Sequence, residues 1–221
     1  MYPENKINEI VGYLKYTMDF QNQEFDIDAY KKELESLQSL QDIKNSSLLS
    51  KWESSIILNL GGLDELKSEG KKIINPKTYL MIHPLFKDST PLIESELKSY
   101  LANSNAIIKE KHTYMFSKEL IVRLYGGTPW FEPYSKLCTD MNCFNITSFC
   151  YQICSTTNED CVLGLVNFKN EFRVKHPDME IKKVYTDCSL PGKVNPFHTP
   201  DSVENKFHIK AIEEAITGDL S

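Results

Sequence analysis

Apolar side chains recur at helical spacing through the first third of the chain, with Lys, Glu and Gln between them. Intervals of three and four residues are typical of an amphipathic helix that buries one face. The pattern predicts helices over about residues 4–20, from an N-cap at Asp28, and over about residues 47–60, followed by a short charged turn of helix at 64–71. Gly61-Gly62, the charged run and Asn75-Pro76 predict a domain boundary near residue 75. Residues 1–75 carry no chemical motif, so we interpret them as a helical extension or a module that binds a protein partner.

After residue 75 the hydrophobic pattern changes to alternating strands and helices. Short β-branched and aromatic runs indicate strands, and stretches with helical spacing indicate helices. The predicted order is a strand at 78–82, a helix capped by Thr90, a strand at 106–116, helices at 117–125 and 131–140, a buried strand at 161–168, a helix from about 170, a strand at 181–185 and a last helix to about 216. No element is predicted for the segment 141–160. Residues 76–221 are therefore predicted to form an α+β domain in which helices cover an antiparallel sheet.

The net negative charge of the chain argues against two classes of partner, nucleic acids and anionic membranes. The 221 residues carry a net charge of −6, whereas a protein that binds a nucleic-acid backbone or an anionic membrane needs a basic surface. No apolar run approaches the roughly 18 residues of a transmembrane helix, and the N-terminus lacks the layout of a signal peptide. We expect neither nucleic-acid nor membrane binding and a cytoplasmic location, with signal-independent export left open.

Five of the six cysteines lie between residues 138 and 161, and none belongs to a Cys-x-x-Cys pair. That pair is the common signature of zinc and redox sites. Since cysteine also packs as a small apolar side chain, we expect free buried thiols and no metal site. Zinc binding or a disulfide is the alternative.

The clearest chemical signal stands just before the last predicted helix. Thr199 is expected to cap that helix, Pro200 suits its first position, and Asp201 places a carboxylate in its first turn. A helix N-terminus offers unpaired N–H groups and a partial positive charge, which favour a phosphoryl group. His198 is therefore a candidate phosphate-accepting nucleophile. The alternative is an ordinary loop histidine beside a capped helix.

The segment around this histidine resembles the active-site signature of nucleoside diphosphate kinases, Asn-x-x-His-x-x-Asp-Ser, which here spans 195–202. Three more segments resemble that family in order and approximate spacing: the strand Lys77-Thr78-Tyr79-Leu80-Met81-Ile82-His83-Pro84, the pair Leu124-Tyr125 followed by Pro129-Trp130-Phe131, and Ser189-Leu190-Pro191-Gly192. The resemblance covers about residues 77–216. It implies a ferredoxin-like βαββαβ core with an antiparallel sheet.

The resemblance also implies an activity and a set of site residues. His198 would be phosphorylated by a nucleoside triphosphate and would pass the phosphoryl group to a diphosphate, with Mg²⁺ accompanying the nucleotide. Asp201 and Glu214, or Glu213 in its place, would belong to the catalytic group, with the glutamate orienting the histidine. The nucleotide-binding candidates are Asn195, Trp130, Tyr125, His83, Lys193 and Thr186. For Trp130, packing as a core aromatic is the alternative to stacking on a base.

Departures from the family pattern support a second hypothesis. His83 stands where the family has a lysine, and the phosphate-binding arginines have no clear equivalents. About ten residues that the family has before Asn195 are missing, so a dimer is expected more than a hexamer. A catalytically impaired protein that binds nucleotide, a protein partner or both is therefore the alternative to an active kinase. A phosphatase or nucleotidyl transferase that uses the same histidine is a third hypothesis.

Overall fold

The structure is a computed structural model. It describes residues 74–200 and 205–220, residues 24 and 26–36, and positions 7, 8, 11, 14 and 15. Side chains are described from position 208 onward in the last helix. The chain divides into two compact units, residues 1–70 with 121–131, and residues 71–120 with 132–221. The predicted boundary near residue 75 stays a prediction, as do the helices at 47–60 and 64–71, which lie outside the described residues.

In the first unit, helix α1 spans Ile27–Ser36 and buries Tyr30 and Leu34, one helical turn apart. The carboxylate of Asp26 accepts a hydrogen bond from the N–H of Ala29 at 3.0 Å, so Asp26 is the N-cap and the prediction of Asp28 was wrong. Ile7, Val11 and Leu14 are helical and buried, which agrees with the predicted apolar stripe.

From residue 77 onward the elements alternate between strand and helix. In chain order they are β1 Lys77–Ile82, a 3₁₀ helix Pro84–Ser89, α2 Thr90–Leu101, β2 Ala106–Phe116, α3 Lys118–Tyr125, α4 Phe131–Asp140, β3 Ile146–Ser155, α5 Val162–Lys175, β4 Ile181–Lys183, β5 Gly192–Val194, β6 Phe197–His198 and α6 Asn205–Thr217. The strands form a four-stranded sheet in the order β2-β3-β1-β6 and a two-stranded ribbon of β4 and β5. All of these strand pairs are antiparallel. The predicted α+β class with an antiparallel sheet is confirmed.

One face of the sheet carries the hydrophobic core. Leu80 and Ile82 of β1 pack with side chains from α2 and α5, whereas Tyr79 and Met81, which alternate with them, are buried on the opposite face. The helical members of the core are Ile93, Leu97, Leu101, Leu165, Phe168 and Phe172. Each fully buried side chain of this size contributes about 1.5–3 kcal/mol of apolar transfer free energy. Phe197 belongs to this core, and its ring stacks on that of Phe168 at a centroid distance of 5.4 Å. The core therefore fixes the segment that contains His198.

Most predicted elements agree with the structure, but the strand predicted at 161–168 does not, and strands β3, β5 and β6 were not predicted. The run at 161–168 was predicted to be a strand, but residues Val162–Lys175 form helix α5. Its buried residues lie three or four apart, which is helical spacing, and a short apolar run alone does not separate the two states. The segment without a predicted element contains β3, which pairs with both β1 and β2.

The structure tests one of the two helix caps predicted in this unit. Ser89, not Thr90, holds the N-cap position of α2, and the Thr90 hydroxyl instead donates to the carbonyl of Lys87 at 2.5 Å. Helix α6 begins at Asn205 among the described residues, whereas residues 201–204, including Asp201, lie outside them. Within the described part of the chain, we find no helix with the length and hydropathy to cross a membrane.

Candidate functional site

Strand β6 places His198 beside the edge of β1. Phe197 pairs with Ile82 and His198 pairs with Met81, and the N–H of His83 donates to the carbonyl of Pro196 at 2.9 Å. Successive side chains of a strand point to opposite faces. Because Phe197 enters the core, His198 points to the other face, where α6 packs against β1 and β2.

A second histidine packs close to His198. The His208 ring, on α6, lies 5.6 Å from that of His198 between centroids, and His208 is buried. The Nε2 atom of His198 is shielded from solvent, although the residue as a whole is half-buried. Burial, together with electrostatic repulsion from His208 and Lys169, holds the pKa of His198 well below its usual value. The imidazole is therefore neutral at pH 7 and keeps a lone pair for nucleophilic attack.

Two cationic side chains of α5 hold the residues that flank His198. Lys169 Nζ donates to the carbonyl of Thr199 at 3.4 Å. With the Asn195 amide oriented to satisfy both neighbours, its oxygen accepts from Arg173 at 3.1 Å and its nitrogen donates to Glu180 at 3.2 Å. Lys169 and Arg173 are four residues apart and thus share one helix face. This face brings positive charge to the 195–199 segment.

The ribbon β4–β5 carries its own charge cluster. Glu180 forms ion pairs with Lys193 and with Lys182, the latter at 2.6 Å. Burial alone would raise the pKa of Glu180, but the two lysines lower it below its ordinary value. Lys193, a predicted nucleotide-binding residue, is thus paired with the Glu180 carboxylate. Thr186, another candidate, is exposed in the turn after β4.

The two glutamates of α6 have different neighbours. Glu213 accepts hydrogen bonds from Lys77 Nζ at 2.6 Å and from the Tyr79 hydroxyl at 2.9 Å. Glu214 has its carboxylate 3.9 Å from Lys210 Nζ. The ring of His208, on α6, contacts that of His198, and this neighbour was not predicted from the sequence. A histidine on the last predicted helix, ten residues after His198, was the available signal.

The remaining predicted site residues separate by unit. Tyr125 and Trp130 belong to the first unit, whereas Asn195 and His198 belong to the second. The Tyr125 carbonyl accepts from the N–H and the hydroxyl of Thr128, at 3.0 and 2.6 Å, in the turn after α3. Trp130 is 48% exposed, which leaves ring surface for a partner. Its assignment to base stacking stays a prediction.

His83 lies in a buried setting at the end of β1. Its Nδ1 atom accepts from the N–H of Leu85 at 3.2 Å, and its Nε2 atom lies 3.8 Å from the Cys138 thiol. The Phe116 ring meets the imidazole edge to face at 4.8 Å. Burial lowers the pKa of His83 to about 3, so the ring is uncharged at neutral pH. His83 therefore does not supply the positive charge of the lysine that the family resemblance places at this position.

Cys138 and Cys143 complete this setting at the end of α4. Their thiols and the His83 ring nitrogen form a buried group in which all ligand atoms lie within 4.8 Å of one another. A hydrogen bond from the Cys138 thiol lowers the pKa of Cys143, and the same interaction, with burial, raises that of Cys138. This is the one such group of potential metal ligands among the described residues.

No protein-family model, curated protein or solved structure matches this chain.

Proposed function

We propose that residues 76–221 form a nucleoside diphosphate kinase-like domain that transfers a phosphoryl group through His198. The observation that carries the proposal is the environment of this side chain. A neutral imidazole stands on an edge strand, with its Nε2 atom shielded and with cationic side chains around its flanking residues. Shielding of Nε2 leaves Nδ1 as the nitrogen to carry the phosphoryl group.

The strand order supports the proposal at the level of fold. We propose a ferredoxin-like arrangement, in which two β-α-β halves interleave. The halves would be β1-α2-β2 and β3-α5-β6, and an order of β2-β3-β1-β6 is the one such interleaving produces. Along the sequence, helices α3 and α4 come between the two halves, and α6 follows the second half.

The proposed reaction has two symmetric steps. In the first, the Nδ1 lone pair of His198 attacks the γ-phosphorus of a nucleoside triphosphate, and the bond from that phosphorus to the bridging oxygen breaks. The nucleoside diphosphate leaves, and a phosphorus–nitrogen bond remains on the histidine. In the second, a terminal oxygen of another nucleoside diphosphate attacks this phosphorus, the phosphorus–nitrogen bond breaks, and its electron pair returns to the imidazole nitrogen.

Charge stabilisation would come from sources near the 195–199 segment. Lys169 and Arg173 already contact residues of that segment, and Mg²⁺ entering with the nucleotide would neutralise phosphate oxygens. His208 would serve as the α6 neighbour that limits rotation of the His198 ring. Asn195 would have to exchange its contacts with Arg173 and Glu180 to bind a nucleotide.

A second candidate function follows from His83. The family lysine is replaced by an imidazole that is buried and uncharged. Positive charge that stabilises the transferred phosphoryl group is the main source of catalysis in phosphoryl transfer. The alternative is therefore a catalytically impaired domain that binds nucleotide or a protein partner. A protein partner for the N-terminal helices and a dimeric state are part of either hypothesis.

The test is phosphorylation of the purified full chain by γ-labelled ATP or GTP with Mg²⁺. We expect acid-labile, base-stable label on wild-type protein and on His112→Ala, a matched control on β2, and none on His198→Ala. Label that persists on His198→Ala would remove this residue from the mechanism. Stabilisation by nucleotide without any label would favour the impaired alternative.

A further inference from the structure

We propose that His83, Cys138 and Cys143 bind a thiophilic metal ion, with Zn²⁺ as the expected ion. The three side chains are buried, and they supply one nitrogen and two sulfur ligands. Zinc–sulfur bonds of about 2.3 Å and zinc–nitrogen bonds of about 2.0 Å place neighbouring ligand atoms of a tetrahedral site about 3.5–3.8 Å apart. His83 Nε2 lies 3.8 Å from the Cys138 sulfur, and no separation in the group exceeds 4.8 Å. The ligand atoms therefore need to approach one another by about 1.3 Å at most.

The end of α4 brings the two thiols together. The N–H of Cys143 bonds to the carbonyl of Cys138 at 2.9 Å, and that of Asn142 bonds to Thr139 at 3.1 Å. Asn142 has a φ of 52°, so these bonds form the Schellman turn that ends many helices. This turn folds Cys143 back over Cys138 by local geometry alone.

His83 joins the thiols through tertiary structure, and its backbone is firmly held. The carbonyl of Ile82 accepts from the Tyr114 hydroxyl at 2.7 Å and from the Ser148 hydroxyl at 2.8 Å. The His83 N–H donates to Pro196. These bonds fix where β1 ends, so the imidazole is presented to the thiols without further ordering of the chain. Such preorganisation favours metal binding.

Aromatic rings enclose the imidazole of the group. The rings of Phe116 and Tyr134 both meet the His83 ring edge to face, with centroids 4.8 and 6.2 Å away. Metal on Nε2 requires the His83 proton on Nδ1, so the hydrogen bond from Leu85 must be given up. That single net hydrogen bond is small beside the free energy of zinc binding to thiolate sites. The fourth position would hold water or another exogenous ligand.

The experiment is a Co²⁺ titration of the reduced, metal-free full chain. We expect one Co²⁺ per chain, a thiolate-to-cobalt charge-transfer band in the near ultraviolet, and displacement of Co²⁺ by Zn²⁺. Cys143→Ser and Cys138→Ser should lose the band, whereas Cys154→Ser, a matched control on β3, should keep it.

A stability measurement guards against variants that fail to fold. Zn²⁺ should raise the Tm of wild-type protein and of Cys154→Ser, and a chelator should reverse the rise. Absence of the cobalt band in folded wild-type protein would overturn the proposal, as would an unchanged band in folded Cys143→Ser. Formation of a Cys138–Cys143 disulfide by a protein whose reduced form takes up no Co²⁺ would also overturn it.

Discussion

Glu94 joins helix α2 to two strands of the sheet, and its replacement gives a sharp test of the packing described above. Its carboxylate accepts from Lys98 at 2.6 Å, from Lys111 at 2.8 Å and from the Tyr151 hydroxyl at 2.6 Å. The bonds to the lysines and to Tyr151 lower the pKa of Glu94 from 4.5 to about 2. At about 1.4 kcal/mol per pH unit, this shift corresponds to an upper value of about 3 kcal/mol.

Solvent reduces that upper value. The side chains of Lys98 and Lys111 are 63% and 41% exposed, and exposed ion pairs contribute about 0.2–1 kcal/mol each. The bond from the buried Tyr151 is charge-assisted and better shielded. We therefore expect Glu94→Gln to lower the free energy of unfolding by about 2 kcal/mol at pH 7.

The pH dependence follows from the direction of the shift. A carboxyl group whose pKa is lower in the folded state adds stability above its unfolded value of 4.5, and this stability is lost as pH falls toward 2. Urea unfolding at pH 7 and at pH 3 measures both quantities. The cost of Glu94→Gln should shrink at the lower pH, whereas Glu171→Gln, an exposed control on α5, should cost little at either pH. An equal cost of Glu94→Gln at both pH values would refute the reasoning.

Substitutions at three further positions test specific contacts by urea unfolding. Tyr151→Phe should cost about 1 kcal/mol in wild-type protein and little in Glu94→Ala, because both remove the same hydrogen bond; additive costs would contradict this. Asn142→Val should cost about 1–2 kcal/mol at a φ of 52°, whereas Asn142→Gly should not, and equal effects would argue against the turn. Gly192→Ala should cost about 1–3 kcal/mol, because a Cβ there would lie 2.6 Å from the Pro133 carbonyl oxygen; a neutral effect would show that β5 shifts freely.

Periodicity and propensity were enough to predict most elements of the second unit. Strand β2 was predicted with its observed bounds, and β1 within one residue, because β-branched and aromatic residues mark both. Strand β3 was not predicted because polar residues interrupt its apolar pattern, although Ser148 and Cys150 are buried. Helix α5 was mistaken for a strand because its first turns contain an unbroken apolar run with a glycine at 164.

The candidate sites depend on tertiary contacts that no local pattern contains. His198 was predicted from its helix-start context and its motif, but the neighbour His208 follows from how α6 packs on the sheet. The thiol pair of Cys138 and Cys143 could have been predicted from a helix-ending asparagine. The approach of His83, 55 residues earlier, could not. The family resemblance predicts a lysine at this position and therefore does not predict a neutral histidine beside two thiols.

The most direct test of the central claim is a chase of the isolated phosphoprotein. Wild-type protein labelled by γ-labelled ATP is freed of nucleotide and mixed with GDP and Mg²⁺. The account predicts that label leaves the protein and is recovered as labelled GTP, with no label taken up in the first place by His198→Ala. Label that is released only as inorganic phosphate, or that maps to another residue, would contradict phosphoryl transfer through His198.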